Sequence, residues 1–169
     1  LSEFDERAMR ALLADPKMVA VGECGIDYFR PEDANEEVKR EQKELFLRHV
    51  ALAIESGKPL MIHGRPSKGT MDAYDDLLQI LESAKKEYGD RLRGNVHFFV
   101  GDVGVARRVY ALDFTASYTA VITFARDYDE AIRFAPLDRL ITETDAPYVA
   151  PKSRRGQRND PLSIPEVVT

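Results

Sequence analysis

Two of the three histidines in this 169-residue chain close short apolar runs. In Leu60-Met61-Ile62-His63-Gly64-Arg65 and in Asn95-Val96-His97-Phe98-Phe99, a strand would deliver an imidazole to its C-terminal tip. One such residue alone reads most simply as a histidine bonded to a loop backbone. Two of them, with Glu23 and Asp145 in equivalent positions, favour metal ligation. Imidazole and carboxylate donors without thiolate suit Zn, Mn, Fe, Co or Ni, and Mg where water completes the shell.

Glu23 lies in Gly22-Glu23-Cys24-Gly25-Ile26-Asp27-Tyr28, where two glycines would permit a sharp turn that points an acid at an ion. Taken alone, the segment also reads as an ordinary turn with solvated acids. Cys24 follows an apolar run with no histidine beside it and reads as a small packing residue. Asp145 lies in Thr142-Glu143-Thr144-Asp145-Ala146-Pro147-Tyr148. Side chains alternate along a strand, so Glu143 and Asp145 share a face if the chain stays extended. Glu143 then either supports a neighbouring ligand or forms a plain ion pair. His49, in mid-helix beside Leu45 and Leu52, reads as a helix-surface or packing residue. Arg65, two residues past His63, suits a phosphate fork or a structural ion pair. Lys152, Arg154, Arg155 and Arg158 form a basic stretch after Asp145, either merely solvated or set against a nucleic-acid backbone.

The elements that must carry these groups alternate. Ser2 and Asp5 suggest a capping box for a helix ending near Asp15-Pro16. A strand is expected at 18–21, ended by Gly22. A helix follows over 35–56, with Gln42, Phe46, Val50 and Ala53 on one face and Gly57 stopping it. Further strands are expected at 59–62, 94–97, 114–118 and 140–143. Helices fall at 103–112 and 127–134, and one capped by Thr70 carries Tyr74, Leu77, Leu78 and Leu81. Beyond Thr144 the chain should be mostly loop. Alternating strands and helices imply a parallel α/β sheet with flanking helices. No Gly-x-Gly-x-x-Gly follows a strand, so a dinucleotide fold has no support. Polar groups at the ends of several strands favour a (β/α)₈ barrel, whose chemistry gathers at one mouth. A full barrel takes eight strands and roughly 250 residues. Five strands are found, so residues 1–169 read as a single partial-barrel domain: the last five strands, with the first three βα units absent.

Composition narrows the function. Hydrophobic residues make up 44% and charged residues 31%, the balance of a soluble globular protein. No apolar run approaches the roughly 18 residues of a membrane span, and the N-terminal stretch lacks a signal-peptide core. A single cysteine excludes an internal disulfide and fits the cytoplasm. The net charge of −5 opposes bulk electrostatic binding of nucleic acid, though not a local site built on metal cations.

Taken in order, Gly22 to Tyr28, Pro59 to Arg65, His97 with Gly101, and Glu143 to Tyr148 resemble successive signatures of the TatD family of metal-dependent hydrolases. Arg158-Asn159-Asp160-Pro161 is similar to the family's Arg-Asn-Glu-Pro, with Asp in place of Glu. The resemblance implies a (β/α)₈ barrel and a centre of two divalent ions (Mg, Mn or Zn). In it Glu23 bridges both ions, His63 and His97 complete one site, and Asp145 serves the other beside the attacking water. It departs from the family in lacking any His-x-His, the pair that the first strand supplies, and in reading His-Phe-Phe-Val-Gly at His97. The implied activity is hydrolysis of DNA, at ends or in single strands, with no membrane and no obligate protein partner. The alternatives are a deacylase acting on aminoacyl-tRNA, or a non-catalytic fragment incomplete at its N-terminus and C-terminus.

Overall fold

The computed structural model describes residues 4–30 and 35–169. Five strands form one sheet in the order β1-β2-β3-β4-β5: Val21–Asp27, Leu60–Arg65, Gly94–His97, Thr115–Tyr118 and Leu140–Thr142. β1 pairs parallel to β2, and β4 parallel to β5. Strands in sequence order with a helix between each pair are the arrangement that βαβ units produce. This is the parallel α/β architecture expected from the sequence. The chain forms two compact units, Leu1–Asn95 and Val96–Thr169.

In the first unit, α1 (Glu6–Leu13) begins at Asp5, whose carboxylate accepts the Ala8 N–H at 3.0 Å. The expected capping box began at Ser2, which lies outside the described residues. α2 (Glu36–Ser56) is capped at its start by Asn35, which accepts the Val38 N–H. It stops at Gly57, whose φ of 67° is left-handed and costs glycine little. Its buried face includes Gln42, Phe46, Val50 and Ala53, the spacing read from the sequence. α3 (Asp72–Tyr88) buries Tyr74, Leu77, Leu78 and Leu81. Thr70 stands one residue farther out than a cap, since Met71 holds that position. Its hydroxyl instead bonds the Asp72 carboxylate at 2.8 Å. Phe46, Leu52, Leu60, Ile62, Leu77 and Leu81 are almost wholly buried. Each contributes roughly 1.5–3 kcal/mol of transfer free energy.

β1 differs most from expectation. The run at 18–21 was expected to be the strand and Gly22 its end, but the strand starts at Val21 and runs through both glycines to Asp27. Val19 is 78% exposed, so apolar character at 18–20 does not mark burial. Val21 pairs with Leu60 and Cys24 with Ile62, so one extra residue is inserted between Val21 and Cys24. Such a bulge re-aims side chains, and Glu23 lies within it.

Gly25 pairs with His63, and a Cβ there would stand 1.9 Å from the His63 carbonyl oxygen. Only a residue without a side chain lets the two strands meet at this point.

The second unit follows the sequence reading more closely. α4 (Val103–Ala111) starts at Asp102, which accepts the Val105 N–H at 2.8 Å, and buries Val105, Ala106 and Val109. α5 (Asp129–Phe134) lies between β4 and β5 in sequence. β4 begins one residue late and β5 ends one residue early against expectation. Past Thr144 the chain is mostly loop, with short 3-10 turns and one four-residue helix, α6 (Ile164–Val167). Among the described residues no helix is long and apolar enough to cross a membrane.

Gly25→Ala should lower the unfolding free energy by about 1–3 kcal/mol, the usual cost of overpacking. A urea titration measures it. An unchanged midpoint would mean that β1 and β2 do not approach as described.

Candidate metal-binding strand ends

Register and pleat together build the cluster of the first unit. Cys24 and Ile26 are buried on one face of β1, and Ile62 is buried on β2. The alternate positions, Glu23 and Asp27 on β1 and His63 on β2, take the other face. His63 lies opposite Gly25, so its ring stands between the carboxylates two residues on either side of that glycine. His63 Nδ1 is 3.0 Å from Glu23 Oε1, and Nε2 is 3.2 Å from Asp27 Oδ2. Asp27 is itself fixed. Its Oδ1 accepts the N–H groups of Phe29 and Arg30, both at 2.9 Å. The buried Gln42 amide of α2 accepts the Asp27 N–H at 2.8 Å and donates to the Asp27 carbonyl at 2.9 Å. Glu23, Asp27, His63, Gln42 and Arg30 line a cavity of about 650 Å³.

A corresponding arrangement ends the strands of the second unit. His97 Nδ1 is 2.5 Å from Glu143 Oε2, and Nε2 is 3.7 Å from Asp145 Oδ1. The other oxygen of Glu143 accepts the Phe98 N–H and the Ser117 hydroxyl, both at 2.6 Å. Burial pushes the Glu143 carboxyl up, but the bonds from His97, Ser117 and the Phe98 N–H together outweigh it and hold the group below its ordinary value. Glu143 therefore supports His97, one of the two roles read for it from the sequence. The backbone on either side is bent into the left-handed region, with φ of 44° at Phe98 and 53° at Asp145. Side-chain-bearing residues enter that region at a cost, and do so most often at functional sites.

Both clusters pose the same electrostatic problem. A neutral imidazole carries one N–H and one lone pair. His63 has a carboxylate at each nitrogen, so a neutral ring would turn a lone pair toward one of them. At His97 the ring nitrogens stand 2.5 Å from Glu143 and 3.7 Å from Asp145, so a neutral ring donating from Nδ1 would turn its Nε2 lone pair toward Asp145. Two ligands bound at 2.0–2.2 Å to a tetrahedral ion stand about 3.4 Å apart. A divalent cation between imidazole and carboxylate would resolve that repulsion, as protonation of the ring would, and nitrogen and carboxylate oxygen are donors that such an ion takes. The structure brings Glu23 to His63 and His97 to Asp145. Among the described residues no group of three or more His, Cys, Asp and Glu side chains is gathered as a ready-made ion site.

Cys24 is not a donor. Its thiol is buried against the carbonyl oxygens of Val21 and Met61, and burial pushes it up to about 12. His49 packs as expected, with Nδ1 at 2.9 Å from the Leu45 carbonyl and its ring edge-on to Phe4 at 4.7 Å. The Arg65 guanidinium lies over the Phe29 ring at 4.1 Å, and that of Arg155 over Phe124 at 3.9 Å. Arg154 turns inward to the Ser163 hydroxyl at 2.6 Å and Asp160 at 3.4 Å, whereas Lys152 and Arg158 are exposed. Asp27 and Ser117 were missed in the sequence. For Asp27 the signal existed: it stands four residues from Glu23, an even spacing along a strand, hidden once the strand was ended at Gly22. Ser117 gave none.

Glu143→Gln should weaken binding of a divalent ion by about 10- to 100-fold, as loss of a ligand's supporting partner generally does. Calorimetric titration of metal-free protein with Mn²⁺ measures it, and an unchanged affinity would remove Glu143 from that role.

The family model described as TatD related DNase matches residues 2–169. The Escherichia coli K12 protein named uncharacterized metal-dependent hydrolase YcfH is 36% identical over 166 residues, covering 97% of this chain and 58% of that protein. A human protein named 3'-5' RNA nuclease TATDN2 is 37% identical over 155 residues, covering 89% of this chain and 19% of that protein. The crystal structure of the Escherichia coli TatD homologue YjjV superposes with a TM-score of 0.79 at 27% identity, covering 95% of this chain and 58% of that one. The chain thus spans about three fifths of the length of YcfH and of YjjV. With that family model matching residues 2–169, the chain belongs to the TatD family of metal-dependent hydrolases.

Proposed function

We propose that this chain supplies catalytic residues for divalent-metal-dependent hydrolysis of phosphodiester bonds in nucleic acid, with DNA ends or single strands as substrate. One observation carries the reading. At the strand ends each of two histidines is braced by one carboxylate, Asp27 or Glu143, and turned toward another, Glu23 or Asp145. Glu23 with His63, and His97 with Asp145, would hold metal, as ions of Mg, Mn or Zn. Bound there, a divalent ion acidifies a water and draws charge from the phosphoryl oxygens. Asp27 and Glu143 hold the imidazoles in place through the opposite ring nitrogens. Asp145 stands where it can orient the attacking water and take up its proton.

The substrate reading draws support from the human relative named as an RNA nuclease. It draws support also from the arginines. Arg65 and Arg155 place their guanidinium groups over aromatic rings, where they could still reach phosphate oxygens, and exposed Arg158 adds charge. Arg154, bound to Ser163 and Asp160, contributes by shaping the loop as well as by its charge. A cytoplasmic setting agrees with a chain whose one cysteine is a buried thiol.

Labelled single-stranded DNA tested beside an aminoacyl ester separates nuclease from deacylase. Metal-dependent turnover of the ester alone would overturn the nuclease reading. Glu23→Ala should be the most damaging single substitution for turnover, and His49→Ala should leave turnover nearly unchanged. Equal losses at the two would show the site to be misassigned. Replacing Arg155 and Arg158 by Gln should raise KM and flatten its dependence on salt, since phosphate contacts release counterions. A KM with wild-type salt dependence would mean that the loop is merely solvated.

A further inference from the structure

The turn that carries Asp145 is built from backbone that does not hold its own shape. Asp145 and Val149 both have φ of 53°. A β-branched valine is a true outlier there, and each such residue costs about 1–3 kcal/mol unless its surroundings impose it. Within the turn, the Tyr148 N–H donates to the Asp145 carbonyl at 2.9 Å.

The surroundings converge on one side chain. Asn159 is 1% exposed. Its amide donates to the Thr144 carbonyl at 2.8 Å and to the Val149 carbonyl at 3.2 Å, the residues that open and close the bent segment. Its backbone N–H donates to the Pro147 carbonyl at 2.9 Å, between them. Its side-chain oxygen accepts the Asp160 N–H at 3.0 Å and the Ser163 hydroxyl. Both amide protons and both lone pairs are thus used. Ser163 is fully buried and is fixed in turn by Arg154 at 2.6 Å, which also reaches Asp160. A rigid polar chain therefore runs from Arg154 through Ser163 and Asn159 to three carbonyl oxygens around Asp145.

We propose that Asn159 is a positioning residue for Asp145: by pinning Thr144, Pro147 and Val149 it holds the Asp145 carboxylate opposite His97 Nε2, where an ion can bridge them. The inference rests on the reading of Asp145 as a metal ligand. No other side chain of this size supplies two donors and an acceptor in one plane. Asp has the shape without the donors, and its carboxylate would face two carbonyl oxygens.

The test is Mn²⁺ titration calorimetry on wild type, Asn159→Asp, Asp145→Ala and the double variant. Thermal unfolding checks the fold, and hydrogen exchange reads the Tyr148 amide. Asn159→Asp should lower Mn²⁺ affinity about 10-fold or more, the usual effect of losing a ligand's support, and speed exchange at Tyr148. In the Asp145→Ala background it should cost no further affinity, because it acts through Asp145. Ser163→Ala, a milder change at the next link, should shift affinity and exchange in the same direction by less, and decides the matter if Asn159→Asp does not fold. Wild-type affinity in Asn159→Asp, or a full additive loss in the double variant, would overturn the positioning role alone. A wild-type protein that takes up no Mn²⁺ would overturn the metal reading and the inference with it.

Discussion

The contact between Gly25 and His63 governs the first unit. Two parallel strands meet there closely enough that one methyl group would collide with a carbonyl oxygen. The missing side chain does two things. It lets β1 pair with β2 on through Asp27 and Arg65, and it sets His63 in register between Glu23 and Asp27. The carboxylates two residues either side of Gly25 then stand at the two ring nitrogens without further adjustment. The extra residue between Val21 and Cys24 sets this phase. A strand with regular register from Val21 onward would send Glu23 and Asp27 to the face that Cys24 and Ile26 now fill.

Each histidine is held by a carboxylate that is itself held. Asp27 is gripped by the Gln42 amide and by two backbone N–H groups of the following turn. Glu143 is gripped by a backbone N–H and a buried serine. The nitrogen left to face outward differs between them. At His97 it is Nε2, because Nδ1 makes the short contact to Glu143. At His63 the outward carboxylate stands at Nδ1. A carboxylate held by several donors is a firm acceptor for an imidazole N–H, and such a bond orients the ring. Disorder in the supporting groups would therefore be felt at the two histidines.

The sequence made the helices legible because their signals are local. Asn35 and Gly57 bound α2, and Gln42, Phe46, Val50 and Ala53 name its buried face. The strand ends bearing His63 and His97 were legible for the same reason. β1 was not. Its glycines look like a turn to any local rule, and their reason for lying in a strand is the approach of β2, which is thirty-nine positions away at the Val21 pairing. Losing the strand at Gly22 also hid Asp27. Ser117 and Asn159 act on residues 26 and 15 positions away, and nothing in their neighbours distinguishes them from any other polar residue. Glu143 fell between these cases: alternation along the strand brought it into view, but only the Ser117 and Phe98 contacts decide its role.

Cys24 has a consequence of its own. Its sulfur lies on the opposite side of the strand from Glu23, enclosed and protonated across the physiological range. The nucleophile and the soft ligand is the thiolate, and here it is not formed. Cadmium, mercury and copper(I) therefore find no sulfur anchor beside the proposed centre, and discrimination among ions is left to oxygen and nitrogen donors. Peroxide and alkylating reagents are likewise denied their usual point of entry. The thiol beside the proposed centre thus offers oxidants little thiolate to attack.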